Sequence, residues 1–161
     1  MQSIFVDDAK CLGCKTCELA CCVAHSSSKT LFSPCAAEAV QTRIYVESAG
    51  AGAFPLQCRH CAEAQCVRAC VTGALSENPE TGAVSYAKEK CLGCLMCVIA
   101  CPFGVCAETR NKEIVTCDLC AGLAEGPACV GSCPTGALSF GSAESFAKER
   151  RRNYLEKSVQ L

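Results

Sequence analysis

The residues with the clearest capacity for chemistry in this chain are its cysteines, which make up 19 of 161 residues. Sixteen of them fall into four groups of four. Groups one and three have the spacing C-x2-C-x2-C-x3-C, group two has C-x2-C-x4-C-x3-C, and group four has C-x2-C-x8-C-x3-C. A pattern that recurs four times indicates an internal repeat. The groups, in order, are Cys11, Cys14, Cys17 and Cys21; Cys58, Cys61, Cys66 and Cys70; Cys91, Cys94, Cys97 and Cys101; and Cys117, Cys120, Cys129 and Cys133.

Three chemistries use thiols at this density: disulfides, structural zinc and iron–sulfur clusters. Disulfides are disfavoured because the first residues, "MQSIFVDDAK", have neither the basic nor the apolar region of a secretory signal. An odd number of cysteines would also leave one thiol unpaired. Structural zinc commonly uses two C-x2-C pairs, a pattern to which groups two and four could be adapted but groups one and three could not.

Iron–sulfur chemistry fits the two compact groups best. A cubane [4Fe–4S] cluster needs four thiolates, and three cysteines at three-residue steps can wrap three corners of one cube. The cysteine after the x3 step is then free to ligate a neighbouring cluster, as it does in C-x2-C-x2-C-x3-C-P sequences. Pro102 and Pro134 complete that pattern in groups three and four, whereas Cys22 and Val71 replace the proline in groups one and two. The groups therefore predict four [4Fe–4S] clusters, and a zinc-stabilised structural or interaction protein is the alternative.

Few other residues suggest a chemical role. We expect the three remaining cysteines, Cys22, Cys35 and Cys106, to be small buried hydrophobic residues. His60 lies between two ligand candidates and could coordinate iron, but packing or a hydrogen bond near a cluster is the favoured role. We expect His25 to be structural or solvated. No Ser/His/Asp set, phosphate-binding glycine loop or carboxylate pair is evident, so the sequence predicts a non-catalytic protein. A radical or redox-sensing enzyme would need an open iron site, and every group has a fourth thiol.

The composition excludes two broad classes of protein. A net charge of −1 argues against a nucleic-acid-binding surface. No run of 18 apolar residues exists, so the sequence predicts no membrane span. We expect a soluble protein of a reducing compartment, the cytoplasm, although a protein of this kind can be exported folded with a partner that carries the signal.

The segments between the groups predict small elements. "SIFVD" and "ALSFG", near opposite ends of the chain, are expected to pair as strands, and hairpins are expected around "ENPETG" and "RNK". Short helices are expected after the third cysteine of each group. Residues 142–161 predict a charged C-terminal helix with Ser142 as its N-cap. Residues 23–55 predict an insertion with one strand, "TRIYVE", and a flexible connector, "SAGAGAF". A core this thin predicts that the bound cofactors supply much of the folding free energy.

The four groups, together with "PLQCRHC", "VTGAL", "KCLGCLMC", "ACPFG" and "CDLC", resemble the four-cluster ferredoxin-like electron-transfer subunits. That family serves molybdopterin oxidoreductases, formate-linked hydrogenases and carbon monoxide dehydrogenases in anaerobic metabolism. The resemblance implies an electron-transfer subunit that relays single electrons between a catalytic redox subunit, of the formate dehydrogenase or carbon monoxide dehydrogenase type, and a hydrogenase or other acceptor. It also implies that other ferredoxin-like subunits can be partners.

The resemblance further implies an α+β fold with two nested dicluster ferredoxin modules. Residues 1–22 and 109–141 would form the outer module and residues 56–108 the inner one. In the implied pattern of ligands, each cluster takes three cysteines from one group and the fourth cysteine of another group. A sequential pattern, in which group one shares with group two and group three with group four, is the alternative. The implied sets are Cys11, Cys14, Cys17 with Cys133; Cys117, Cys120, Cys129 with Cys21; Cys58, Cys61, Cys66 with Cys101; and Cys91, Cys94, Cys97 with Cys70.

Overall fold

The computed structural model describes residues 2–32, 40–50 and 52–159, and in them the cysteine groups alternate with short paired strands. The strands form four two-stranded antiparallel sheets within these residues. β1 (Ser3–Val6) pairs with β8 (Leu138–Gly141), which confirms the predicted pairing of the two ends of the chain. β4 (Leu75–Glu77) pairs with β5 (Val84–Tyr86), and β6 (Ala107–Glu108) with β7 (Ile114–Val115), so both predicted hairpins are confirmed.

A short helix is present at every group, as predicted, but it contains the third cysteine, whereas the prediction placed the helix after it. The helices are α1 (Thr16–His25), α2 (Gln65–Arg68), α3 (Met96–Ala100) and α4 (Ala128–Gly131), and each begins one residue before that cysteine. Groups one and three share the same backbone path into the helix. Lys15 and Leu95 precede their helices with φ of 59° and 60°, and Gly13 and Gly93 have φ of 67° and 68°. The left-handed turn at these glycines lets the chain fold tightly between two ligand cysteines.

The insertion contains a second strand that the sequence did not predict. β2 (Ile44–Ala49) continues into the expected flexible connector, and β3 (Gly52–Gln57) returns along it. Gly50, with φ of 61°, provides the turn between the strands. Pro55 cannot donate a ladder hydrogen bond, but it is tolerated opposite Val46 because both strands of a two-stranded sheet are edge strands. The hairpin packs on the body through Ile44 and Val46, which are buried.

Two separate hydrophobic clusters form the core, and cysteines are part of both. The first contains Ile4, Ile44, Val46 and Leu138 with four cysteines of groups one and four: Cys17, Cys21, Cys117 and Cys129. The second contains Ala64, Leu75, Val84 and Ile114 with Cys97 and Cys106. The fold therefore packs the first group beside the fourth, and the second beside the third.

The C-terminal helix α5 (Ala143–Val159) is attached by its first half. Ser142 caps it as predicted, because its Oγ accepts the backbone N–H of Ser145 at 3.1 Å. Phe146 stacks on Phe5 of β1 with ring centroids 4.5 Å apart, and Arg150 lies 3.0 Å from a carboxylate oxygen of Asp7. The remainder of α5 is mostly exposed. Within the described residues, no helix is both long and apolar enough to cross a membrane.

Candidate iron–sulfur centres

Three cavities of nearly equal size are each lined by four cysteines. The empty space in each, including space open to solvent, is about 300, 300 and 320 Å³. In every case three of the cysteines come from one group and the fourth comes from another group. We call the three lining sets I, II and IV: set I is Cys11, Cys14, Cys17 and Cys133; set II is Cys117, Cys120, Cys129 and Cys21; and set IV is Cys91, Cys94, Cys97 and Cys70.

We call the remaining four predicted ligands, Cys58, Cys61, Cys66 and Cys101, set III, and charge within this set affects the ionisation of Cys58 and Cys66. Burial raises the pKa of the Cys58 thiol, and negative charge on Cys101 and Cys61 raises it further. Burial likewise raises the pKa of Cys66, with further increases from Cys58 and Cys101. The structure therefore brings the fourth cysteine of group three to the first three cysteines of group two.

The spacing of the sulfur atoms distinguishes a cluster from a single metal ion. Tetrahedral zinc holds its four sulfurs about 3.8 Å apart, because each Zn–S bond is about 2.3 Å. In the described part of the chain, no three cysteines have all their sulfurs within 4.8 Å of one another; the one group of metal-ligating atoms that close is His25, Asp118 and Cys120. The described cysteines are therefore not arranged at the sulfur spacing of a zinc site, and four thiolates at a wider spacing fit a [4Fe–4S] cluster.

Charge interactions between cysteines link the sets in the order I, II, III, IV. Burial raises the pKa of Cys129 in set II to about 12, and charge on Cys17 of set I is among the further causes. Burial also raises the pKa of Cys117 in set II, with a contribution from Cys58 of set III. Cys106 is buried, as predicted for a spare cysteine. Burial raises its pKa, and charge on Cys97 of set IV and on Cys66 and Cys101 of set III raises it further. Each set is thus a neighbour of the next.

Solvent reaches the two ends of this row. Among the 18 cysteines of the described residues, Cys14 of set I and Cys94 of set IV are exposed, and all the others are half-buried or buried. Of the other spare cysteines, Cys22 is half-buried with its Sγ 3.6 Å from the carbonyl oxygen of Val40. Cys35 lies outside the described residues. None of the 18 forms a disulfide.

A repeated "TGAL" segment follows the fourth cysteine of groups two and four and favours the thiolate form of that cysteine, which is the form that binds metal. The backbone N–H of Leu75 donates to Cys70 Sγ at 3.4 Å, and this is the main cause of the lowered pKa of Cys70. Burial opposes ionisation of Cys133, but hydrogen bonds from the backbone N–H of Leu138 and the Thr135 hydroxyl outweigh it and lower the pKa of Cys133.

His60 is buried beside set III. Its Nδ1 accepts the backbone N–H of Val84 at 3.0 Å, so in the neutral ring the proton is on Nε2. Burial lowers the pKa of His60, which favours that neutral ring. The Nε2 atom is buried without a partner among the described residues. The ring therefore packs into the structure, and its Nδ1 is engaged by the backbone.

The sequence did not predict a charged network beside set II. Asp118, between two cysteines of group four, pairs with the guanidinium of Arg43 and lies 3.2 Å from His25 Nε2. The His25 ring is anchored at its other edge, where Nδ1 donates to the carbonyl oxygen of Cys21 at 2.8 Å. Burial opposes protonation of His25, but the hydrogen bonds to Asp118 and to Cys21 together outweigh it and raise the pKa of His25 to about 9. Hydrogen bonding from His25 and the charge of Arg43 likewise hold the pKa of Asp118 below its ordinary value despite burial.

Two sequence signals could have indicated part of this network. Asp118 is the charged residue of "CDLC", and His25 follows Cys21 by four residues, which places both on one face of α1. Arg43 carries no comparable signal, because it reaches the site from a hairpin that precedes group four by more than 70 residues. His25 is therefore structural, which was one of its two expected roles.

Comparison with known proteins agrees with this geometry. Residues 51–143 match the family model described as a 4Fe-4S dicluster domain. The chain is 36% identical to electron transport protein HydN of Escherichia coli (strain K12), over 92% of this chain and 94% of HydN. It is 34% identical to an iron-sulfur protein of Rhodospirillum rubrum, over 96% of this chain and 91% of that protein. It is also 36% identical to part of AegA of Escherichia coli (strain K12), over 92% of this chain but only 23% of that longer protein.

The chain therefore belongs to the 4Fe-4S dicluster family of ferredoxin-like electron transport proteins. It is an iron–sulfur electron transport protein similar to HydN, with the small α+β fold that the sequence predicted.

Proposed function

We propose that the chain holds four [4Fe–4S] clusters, one in each cysteine set, and relays single electrons between the surface at Cys14 and the surface at Cys94. The observation that carries this proposal is the row of four sets whose exposed cysteines lie at its two ends. A row of sites that opens to solvent at both ends suits a protein that accepts electrons from one partner and passes them to another.

The nested pattern of ligands is part of the proposal. The three lined cavities support it, because Cys21 lines a cavity with group four and Cys133 lines one with group one. A sequential pattern would require Cys21 beside group two, and Cys133 beside group three. The two core clusters support the matching division into an outer module, residues 1–22 with 109–141, and an inner module, residues 56–108.

The residues of this chain hold the clusters and set their environment. Each bound cluster gains or loses one electron at a time. Backbone N–H groups of Gly93, His60 and Leu119 donate to Cys91, Cys58 and Cys117 Sγ at 3.4, 3.5 and 3.5 Å. Such hydrogen bonds stabilise negative charge on sulfur and raise the reduction potential. The cysteines of the inner sets are half-buried or buried, and no residue has to move a proton for the relay to operate.

Larger redox enzymes are the partners that we propose, of the formate dehydrogenase, carbon monoxide dehydrogenase or hydrogenase type. A segment similar to this chain within the longer AegA supports operation beside a larger protein. Both ends of the row also present an exposed apolar side chain directly after a ligand cysteine: Leu12 at set I is 74% exposed and Leu92 at set IV is 76% exposed. Exposed apolar residues beside a terminal site suit contact with a partner.

Coulometric reduction of the iron-loaded full chain tests this function. We expect uptake of about four electrons per chain at low potential, because each cubane accepts one. The same chain loaded with zinc is the control and should accept none, since zinc has no redox chemistry. Uptake of two electrons or fewer by the iron-loaded chain would contradict a four-cluster relay.

A further inference from the structure

We propose that Arg43 sets the reduction potential of the cluster in set II, through its positive charge and its Nε–H group. This inference rests on the proposed function, because it concerns one cluster of the relay. It also assigns a role to the insertion, residues 23–55, for which the sequence suggested no chemistry.

Arg43 contacts set II through its backbone and lies in the wall of its cavity. It directly precedes β2, and its backbone N–H donates to Cys21 Sγ at 3.3 Å. Arg43 is one of the residues that line the cavity of set II, and its side-chain partner Asp118 lines the same cavity, as does His25. The β2–β3 hairpin, which packs on the first core cluster through Ile44, fixes the position from which the side chain enters.

One edge of the guanidinium is held away from solvent by the charged network. Nη1 of Arg43 pairs with Asp118, and Asp118 is fixed in turn by His25 and by the backbone N–H of Cys120 at 3.0 Å. The planar guanidinium presents its donors in a rigid fork. With Nη1 engaged and both Asp118 oxygens occupied, the orientation of the remaining donors is determined.

The Nε–H of Arg43 is the part of the side chain that this network does not explain. Nε is buried and has no hydrogen-bond partner among the described residues. A buried donor left without an acceptor is costly. The sulfurs of an iron–sulfur cluster accept hydrogen bonds, and the cluster becomes more negative on reduction. A buried donor and a positive charge on the cavity wall therefore suit a reduced cluster better than an oxidised one.

The other two cavities have no equivalent residue in the described part of the chain. The lining of set IV contains no basic side chain. The lining of set I contains Lys15, but its side chain is 60% exposed and lies 3.9 Å from Glu18, so solvent screens its charge. Of the three lined cavities, that of set II is therefore the one beside a partly buried cation, and its cluster is expected to have a higher potential than that of set IV.

A redox titration of the iron-loaded full chain, monitored by electron paramagnetic resonance, tests the proposal. Arg43→Met removes the charge and the Nε–H donor but keeps an unbranched apolar stem as far as the position of Nε. We expect the ratio of reduced to oxidised cluster at a fixed potential to fall about tenfold for one cluster, which corresponds to about 59 mV. Arg43→Lys keeps the charge and should give a smaller fall. Arg152→Met, at an exposed position on α5, is the control for loss of one charge and should change nothing.

The signal that shifts must belong to set II, and Cys21→Ser identifies it by changing one ligand of that cluster. An Arg43→Met chain with full iron content and unchanged potentials would overturn the proposal, as would a shift confined to another cluster.

A purely structural role predicts lost iron without a shifted potential. Where Arg43→Met does not retain iron, an unshifted Arg43→Lys chain overturns the proposal. If the unmodified chain takes up no electrons, the proposed function fails. If it takes up electrons and the Arg43→Met chain has the same cluster potentials, only this inference fails.

Discussion

Cys133→Ala should remove the cluster of set I, and a second substitution in the same set should remove nothing more. The physical reason is that Cys133 lines one cavity with Cys11, Cys14 and Cys17. We expect the iron content to fall from about sixteen to about twelve atoms per chain, since one cubane holds four. The measurement is iron and acid-labile sulfide per chain after anaerobic loading.

The double substitutions distinguish the nested from the sequential pattern of ligands. Two residues that hold the same cluster give non-additive losses, whereas residues of separate clusters give additive ones. Cys133→Ala with Cys14→Ala should therefore lose no more iron than either alone. Cys133→Ala with Cys94→Ala should lose the sum of the two single losses. The sequential pattern predicts the reverse for both pairs, so an additive loss with Cys14→Ala would contradict the nested one.

Removal of iron should unfold the chain. Its strands are two to six residues long and α2, α3 and α4 are four or five, well below the length at which an isolated helix is stable. Half of the eight buried residues in the first core cluster are predicted ligands, so metal binding is coupled to burial. We expect chelation under reducing conditions to abolish the far-ultraviolet circular dichroism of β1–β8 and α1–α4 in a single transition, and to expose the chain to protease.

Cys22→Ser provides the matched control for that experiment, because Cys22 is a spare cysteine in α1 next to the predicted ligand Cys21. This variant should keep its full iron content and unfold only on chelation, as the unmodified chain does. A chelated chain that kept its native spectrum and its protease resistance would show that the protein core, not the clusters, supplies the stability.

Local patterns in the sequence predicted most of the fold. The x2 and x3 spacings placed a helix beside each third cysteine, and Ser142 predicted the start of α5, because both features depend on residues only a few positions apart. The hairpin partner of β2 was missed for a local reason. Gly52, Ala53 and Pro55 all disfavour strands, and only pairing with β2 makes that segment extended.

The site was predictable in its residue types but not in its surroundings. Sixteen cysteines at recurrent spacings indicated iron–sulfur chemistry without any structure. The network of His25, Arg43 and Asp118 joins positions separated by 75 and 93 residues, and nothing in the local sequence of Arg43 distinguishes it from a solvated arginine. Residues that tune a site from a distant segment become visible only when the fold brings them beside it.

Four clusters that lie in one row and exchange electrons should be magnetically coupled. Electron paramagnetic resonance of the fully reduced iron-loaded chain measures this coupling. We expect signals that integrate to about four spins per chain, broadened and split by coupling between neighbouring reduced clusters. Absence of any signal after dithionite reduction, or a set of sharp, uncoupled signals, would contradict it.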